Sequence, residues 1–289
     1  MAINGLQIIG ESINDSVPST HELFEKEDLD GIRQLVRFQE ERGAAYIDVN
    51  VGLRTLELMA QLIKEIQHTT VLPLSIDSPD PALAGTGLNT YREDLAAHRL
   101  PILNSISALR PEMFPLYAMQ KFRPILLVTE RDESGKAVMN STSAEIYDTA
   151  RVMLQLAVDA GVPVEDCIID VGIAPLAIDT ENRTRRTVDS IRLISSDPAF
   201  RGCSFVLGIS NFTHMLPSRR PSDNLPLRSA LESALLTKLL PLGFNMVVGS
   251  VKRNYQLLPP DHPAMVCLEQ VLQLDGFDTI MQVQNFLIA

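Results

Sequence analysis

Cysteine is scarce in this chain: Cys167, Cys203 and Cys267 are the three among 289 residues. An odd count at wide spacing gives no disulfide framework, and no CxxC pair is present. Cys167 and Cys203 lie in apolar runs, where a thiol behaves as a small hydrophobe. Histidine is equally sparse, five residues with no HExxH, so no metal site is expected. His262, upstream of Cys267, reads as a residue that flanks or caps the last helix. Basic charge is in deficit: 25 Lys and Arg face 36 Asp and Glu, a net charge of −11. That balance argues against a general nucleic-acid surface. The basic cluster Arg183, Arg185 and Arg186 reads as a solvated helix face. No apolar stretch is long enough to span a bilayer. The opening "MAINGLQIIGES" lacks the basic segment and long apolar run of a secretory leader. No Gly/Ser/Pro-rich linker or low-complexity tract divides the chain. The expectation is one soluble, cytoplasmic domain over 1–289, with no nucleic-acid or membrane partner.

What is present is an alternation. Eight short apolar segments occur at 6–10, 44–50, 71–77, 99–105, 123–130, 166–172, 203–210 and 244–250. Many are rich in Val, Ile and Leu, as strands buried on both faces are. Helical patterns separate them. One, 27–43, places Leu29, Ile32, Leu35, Val36 and Gln39 on one side and stops at Gly43. Another, 143–161, opens with Ser143 as candidate N-cap and stops at Gly161. A last one, "HPAMVCLEQVLQL", closes the pattern. Eight strands each followed by a helical segment predict a (β/α)8 TIM barrel. An open doubly wound sheet is the rival, weakened by the lack of a GxGxxG after the first strand.

The strand ends carry the chemistry. "LPLSIDSPDPA", residues 72–82, runs through small and apolar residues, delivers Asp77 and breaks at once. The same design gives Glu11 after the first strand, Asp48 and Asn50 at the second and Asn104 at the fourth. Thr129 and Glu130 follow the fifth, Asp170 the sixth, Ser210 and Asn211 the seventh, Ser250 the eighth. In a barrel these residues gather at one face, where such folds place their active sites. Caps and turns also favour Asp, Asn and Ser. That explanation fits Asp48, Asp77 and Asp170 poorly, because each follows buried hydrophobes and needs hydrogen-bond donors. A nitrogen-rich heterocycle supplies N–H donors in a plane. The set is short of cations and has no obvious nucleophile, which argues against phosphoryl transfer and covalent Ser or Cys catalysis.

Six segments, in order, resemble the pterin-binding barrel of methyltetrahydrofolate:corrinoid methyltransferases. They are "IIGESIN" (8–14), "YIDVNVG" (46–52), "LSIDSPDPALAGTGL" (74–88), "ILNSIS" (102–107), "CIIDVGIAPLA" (167–177) and "LGISNFTHMLPSRRP" (207–221). The resemblance implies that Asp77, Asn104 and Asp170 bind the pterin edge. It implies that Asn211 contacts the methyl-bearing nitrogen and is the catalytic residue. Asp48 and Asn50 match the second-strand motif, and Glu11 and Asn14 the first. Ser210 precedes the catalytic asparagine, and Arg219 or its neighbour Arg220 matches a downstream arginine. It also implies tetrahydrofolate or methyltetrahydrofolate as substrate, and a corrinoid (cobalamin) carried by a partner protein, since no corrinoid-binding domain is evident. Dihydropteroate synthase, of the same superfamily, is the alternative enzyme. It differs in its first-strand asparagine motif and in basic residues at the seventh and eighth strand ends. A non-catalytic pterin-binding barrel is the third reading. The segment "VVGSVKRNYQ" after the eighth strand departs from the pattern of the methyltransferases, and a difference in acceptor recognition is expected there. Finally, the leucine-dense stretch 225–240 carries more apolar surface than one barrel face needs, which predicts a homodimer.

Overall fold

The computed structural model describes residues 3–288. Its strands are β1 (Gln7–Asn14), β2 (Tyr46–Asn50), β3 (Leu74–Asp77), β4 (Ile102–Ser107) and β5 (Arg123–Leu127), then β6 (Glu130–Asp132), β7 (Ala137–Met139), β8 (Ile168–Asp170), β9 (Ser204–Gly208) and β10 (Met246–Gly249). Its helices are α1 (Pro18–Glu25), α2 (Leu29–Glu41), α3 (Leu56–Thr69), α4 (Pro81–Thr90) and α5 (Leu116–Met119), then α6 (Ser143–Asp159), α7 (Arg183–Ser196), α8 (Leu227–Leu239), α9 (Pro263–Val271) and α10 (Phe277–Ile288). Eight strands close a parallel barrel in the order β1-β10-β9-β8-β5-β4-β3-β2, and β6-β7 form a separate hairpin. The (β/α)8 expectation holds, and the open sheet is excluded.

Strand periodicity explains where the acids point. In β8 Ile169 joins the large core between barrel and helices, while Ile168 joins a small cluster with Ile9, Tyr46, Ile102, Ile125, Val206 and Met246. These seven come from seven different strands and fill the barrel interior as a layer. Two residues further on, the same inward register delivers Glu11 after Ile9, Asp48 after Tyr46, Asn104 after Ile102 and Asp170 after Ile168. Asp77 lies directly across from Asn104 in the β3–β4 register. The acids therefore form the next layer up, over an apolar floor.

Several elements depart from the sequence reading. The fifth segment ends at Leu127, and Glu130 begins the antiparallel β6–β7 hairpin over the barrel mouth side. A further helix, α10, follows α9 and packs against it. The cap of α6 is Thr142, one residue before Ser143, in a reciprocal capping box with Glu145. His262 does cap α9, accepting from the Ala264 amide at 3.2 Å. Arg185 and Arg186 are not simply solvated: Arg185 donates to the Leu272 carbonyl at 2.8 Å and Arg186 to that of Asn140 at 2.7 Å. Cys167 is buried and Cys203 half-buried, both as free thiols. The leucines of α8 are not a surplus surface. Leu231, Leu235, Leu236 and Leu239 are fully buried within this chain, where α8 is covered by α9. The apolar face on which the homodimer expectation rested is thus consumed inside one chain. No helix among the described residues is long and apolar enough to cross a membrane, and no group of three or more His, Cys, Asp or Glu there fits a metal ion.

Candidate functional site

The carboxyl ends of β1, β2, β3, β9 and β10 surround a cavity of about 540 Å³. That volume is in the range of small-molecule sites. Glu11, Asn14, Asp48, Asp77, Ser210 and Asn211 all line it, together with Ser12, His214, Ser250 and Lys252. Six of the expected residues thus meet in one place. Asn50 and Asn104 reach the site through its acids: Asn50 donates to Asp77 at 2.8 Å, and Asn104 points at Asp48 at 3.5 Å. Asp170 occupies the same inward layer on β8 and accepts from the Gly172 amide at 2.8 Å. Arg219 does not join them. It is exposed and donates to the Asn224 carbonyl at 3.1 Å. Arg220 is committed elsewhere, paired with Asp223 and lying 4.9 Å over the Phe286 ring.

The acids are held in a state unusual for carboxylates. Burial raises Asp48 well above its ordinary range, and the neighbouring charge of Asp77 adds to the rise. Burial also raises Asp77, opposed by the Asn50 amide. Two buried carboxyls this close do not both ionise at little cost. Sharing one proton between them relieves the repulsion, and both carboxyls are raised by burial, Asp48 the further of the two. Asp170, with one backbone donor against its burial, is pushed up to about 6. Glu11 is raised by burial as well, although Ser210 donates to it at 2.9 Å. A ligand with several coplanar N–H groups would supply what these oxygens lack.

The asparagine on the opposite rim is free. Asn211 ends the turn Ile209–Asn211 directly after β9 and is exposed. Its Nδ2 lies 3.0 Å from where a Cβ on Gly208 would sit, so it rests on bare backbone. It caps no helix: α8 starts at Leu227 with Pro226 before it and no side-chain cap. The turn is tied on both sides of Asn211. Ser210 bonds Glu11, and Thr213 donates to Glu232 of α8.

Glu232 was invisible to the sequence reading, a polar residue in a leucine run whose partners are far along the chain. It is fully buried, and burial pushes its carboxyl up to about 7. Arg253 Nε stands 3.3 Å from its Oε2, yet neither atom has a well-formed hydrogen bond, and the buried Tyr255 hydroxyl nearby also lacks one. The folded chain holds this proton up to about pH 7, whereas an ordinary glutamate releases it near 4.5. The folded state therefore binds more protons across that window, and stability falls as pH rises through it. Glu232→Gln should leave stability near pH 5 almost unchanged and raise it at pH 8, by roughly 3 kcal/mol at most. Thermal melts of both proteins at the two pH values check this; an equal shift at both would show that Glu232 ionises freely.

Among missed residues, His214 and Lys252 line the cavity. His214 stands three positions after Asn211, a spacing that a tight turn brings to the same rim. Over 226 residues the chain is 26% identical to methylcorrinoid:tetrahydrofolate methyltransferase of Eubacterium limosum, covering 74% of this chain and 76% of that one. Its fold is shared with dihydropteroate synthase of Yersinia pestis (13% identity, TM-score 0.58, 94% of each chain). A dihydropteroate synthetase solved with a product superposes similarly (13% identity, TM-score 0.60, 94% of this chain and 96% of that one). The model of the pterin binding enzymes matches residues 12–248, most of the barrel just described, and the chain belongs to that family.

Proposed function

We propose that this protein is a methyltransferase that moves a methyl group between a corrinoid and the pterin nitrogen of tetrahydrofolate, with the corrinoid brought by a partner protein. The observation that carries the reading is the pairing of Asp48 and Asp77, inward on β2 and β3, with the unpartnered Asn211 amide across the cavity, Asp170 on β8 standing in the same inward layer. The acids suit the amino-pyrimidinone edge of a pterin. The amide suits a ring nitrogen that changes its bonding. The name of the Eubacterium limosum relative supports the same chemistry.

The division of labour follows from the leaving group. A methyl on a tertiary amine departs only if the nitrogen is protonated or strongly hydrogen-bonded, because the bare amide anion is too unstable. The corrinoid supplies the nucleophile, or in reverse the methyl donor. In the direction of methyltetrahydrofolate formation, the nitrogen lone pair forms the N–C bond. The pair of the broken Co–C bond stays with cobalt, and the nitrogen loses its proton. Asp77 and Asp170 would hold the ring in line for this displacement. In the reverse direction, in which the methyl leaves methyltetrahydrofolate for the reduced corrinoid, Asn211 would donate to the nitrogen as its negative charge grows. Methyltetrahydrofolate formation, as in a demethylation route, is the direction we assign.

The dihydropteroate synthase reading draws on fold neighbours at 13% identity, which speak to the fold alone. The end of β9 offers Ser210 and Asn211 where that enzyme type has a basic residue. Incubation with methylcob(III)alamin and tetrahydrofolate should yield methyltetrahydrofolate and reduced corrinoid. Tetrahydrofolate binding without turnover, with a methylated corrinoid protein also present, would leave a binding barrel. Condensation of a pterin pyrophosphate with p-aminobenzoate would establish the synthase instead.

A further inference from the structure

The segment after β10, which departs from the methyltransferase pattern, lies against α2. Lys252 places its ammonium 5.8 Å from the centre of the Phe38 ring, and Arg42 places its guanidinium 5.2 Å from the same ring. Neither has an ion-pair partner among the described residues, in a chain of net charge −11. A ring attracts one cation by its quadrupole, but two cations gathered on it also repel each other. In water that repulsion is small, and an anion seated between the two would be drawn by both.

The place of the pair is informative. Lys252 lines the pterin cavity and also a second hollow of about 500 Å³, which Arg42 and Arg253 border as well. Arg253 is turned toward Glu232, and Glu41 lies at the hollow's edge, so Lys252 and Arg42 are the cations left to act there. Leu35, which lines the first cavity, Phe38 and the C-cap residue Arg42 follow each other at i, i+3 and i+7 along one side of α2 and its end. Seven residues of helix span about 10 Å. That is close to the reach of two γ-linked glutamates beyond the benzoyl group of a folate.

We infer that Lys252 and Arg42 form a subsite for the glutamate carboxylates of the folate tail, which leaves the pterin cavity along α2, and that the protein prefers folates carrying several γ-linked glutamates. This rests on the pterin end binding among the barrel acids, as proposed above. It also gives the segment after β10 a role: it supplies the lysine that joins the two hollows.

The test is calorimetric binding of tetrahydrofolate as the monoglutamate and as the triglutamate. The wild-type chain should bind the triglutamate about tenfold more tightly, a preference that shrinks as salt is raised. In Arg42→Gln, outside the pterin cavity, the preference should fall to about twofold or less while monoglutamate affinity changes little, and in Lys252→Gln the ratio of triglutamate to monoglutamate affinity should fall likewise. Lys121→Gln, just before β5 and across the barrel from β1 and β10, removes the same charge and should keep the preference. Equal affinity of the wild type for the two folates, or a preference that survives in both variants, overturns the subsite while leaving the pterin reading intact. If neither folate binds, the pterin reading and the subsite fall together.

Discussion

Asn211→Ala is expected to slow methyl transfer by about a hundredfold, with folate affinity altered by about threefold or less. The magnitude is that of removing one donor aimed at developing charge, where losses of 10²–10³ are typical. The lower figure is chosen because a proton partly neutralises the nitrogen. The split between rate and affinity follows from the geometry: the Asn211 amide rests on the Gly208 backbone with no competing partner, so it is spent on nothing in the free enzyme. An interaction that strengthens only in the transition state lowers kcat without a matching loss of binding. The helix-cap reading of Asn211 is closed, since α8 begins sixteen positions later behind Pro226. The variant should therefore melt with the wild type. Single-turnover kinetics at saturating folate, with the corrinoid reduced beforehand, read the outcome. An unchanged rate removes Asn211 from catalysis and leaves the pterin site standing.

Asp77→Asn and Asp170→Asn should each weaken tetrahydrofolate binding by about ten- to a hundredfold. A hydrogen bond to a charged group contributes about 1.5–3 kcal/mol, and the amide keeps the shape while losing the charge. The fold should not suffer, because both carboxyls are raised by burial and the amide removes a desolvated charge. The same state predicts a pH dependence. Asp170 titrates at about 6 in the free chain, and only its ionised form accepts two pterin N–H bonds well. Affinity should then weaken as pH falls through 6 and level off above about 7, with a smaller slope in Asp170→Asn. Titrations at three pH values and a melting curve for each variant suffice. Wild-type affinity combined with a lower melting temperature would mean that the acids serve the fold.

Legibility tracked the range of the forces involved. The barrel strands could be read because each is a local run of apolar residues, and the inward acids because period-two alternation is also local. Asp77, Asp48 and Asp170 stood out as charges at positions where burial predicts none. The β6–β7 hairpin escaped because Glu130–Asp132 and Ala137–Met139 are mostly polar or half-exposed and carry no strand pattern. In α8 the leucines gave a false signal: its buried residues fall on nearly every face, so composition could not tell a covered helix from a sticky one. Glu232 and Arg186 depend on partners brought in by folding, Thr213 and Arg253 for the first and the Asn140 carbonyl for the second. Arg219 and Arg220 were neighbours in sequence with different fates, decided by Asp223 and the Phe286 ring.

Three glycines on adjoining strands set a limit on how this cavity can change over evolution. A methyl on Gly10 of β1 would fall 2.3 Å from Gln39 Oε1, and one on Gly249 of β10 would fall 2.7 Å from the Tyr255 hydroxyl. On Gly208 of β9 it would press on the Asn211 amide. On β1 and β10 the outer layer leans directly on strand backbone, and on β9 the cavity asparagine does, so a side chain added at any of the three positions moves a neighbour. Variation is channelled instead into the segments that follow the strands, Asp15 to Thr20 and Ser250 to Tyr255. A lineage altering its acceptor or its tail length would diverge there first, while the wall behind Asn211 stayed fixed.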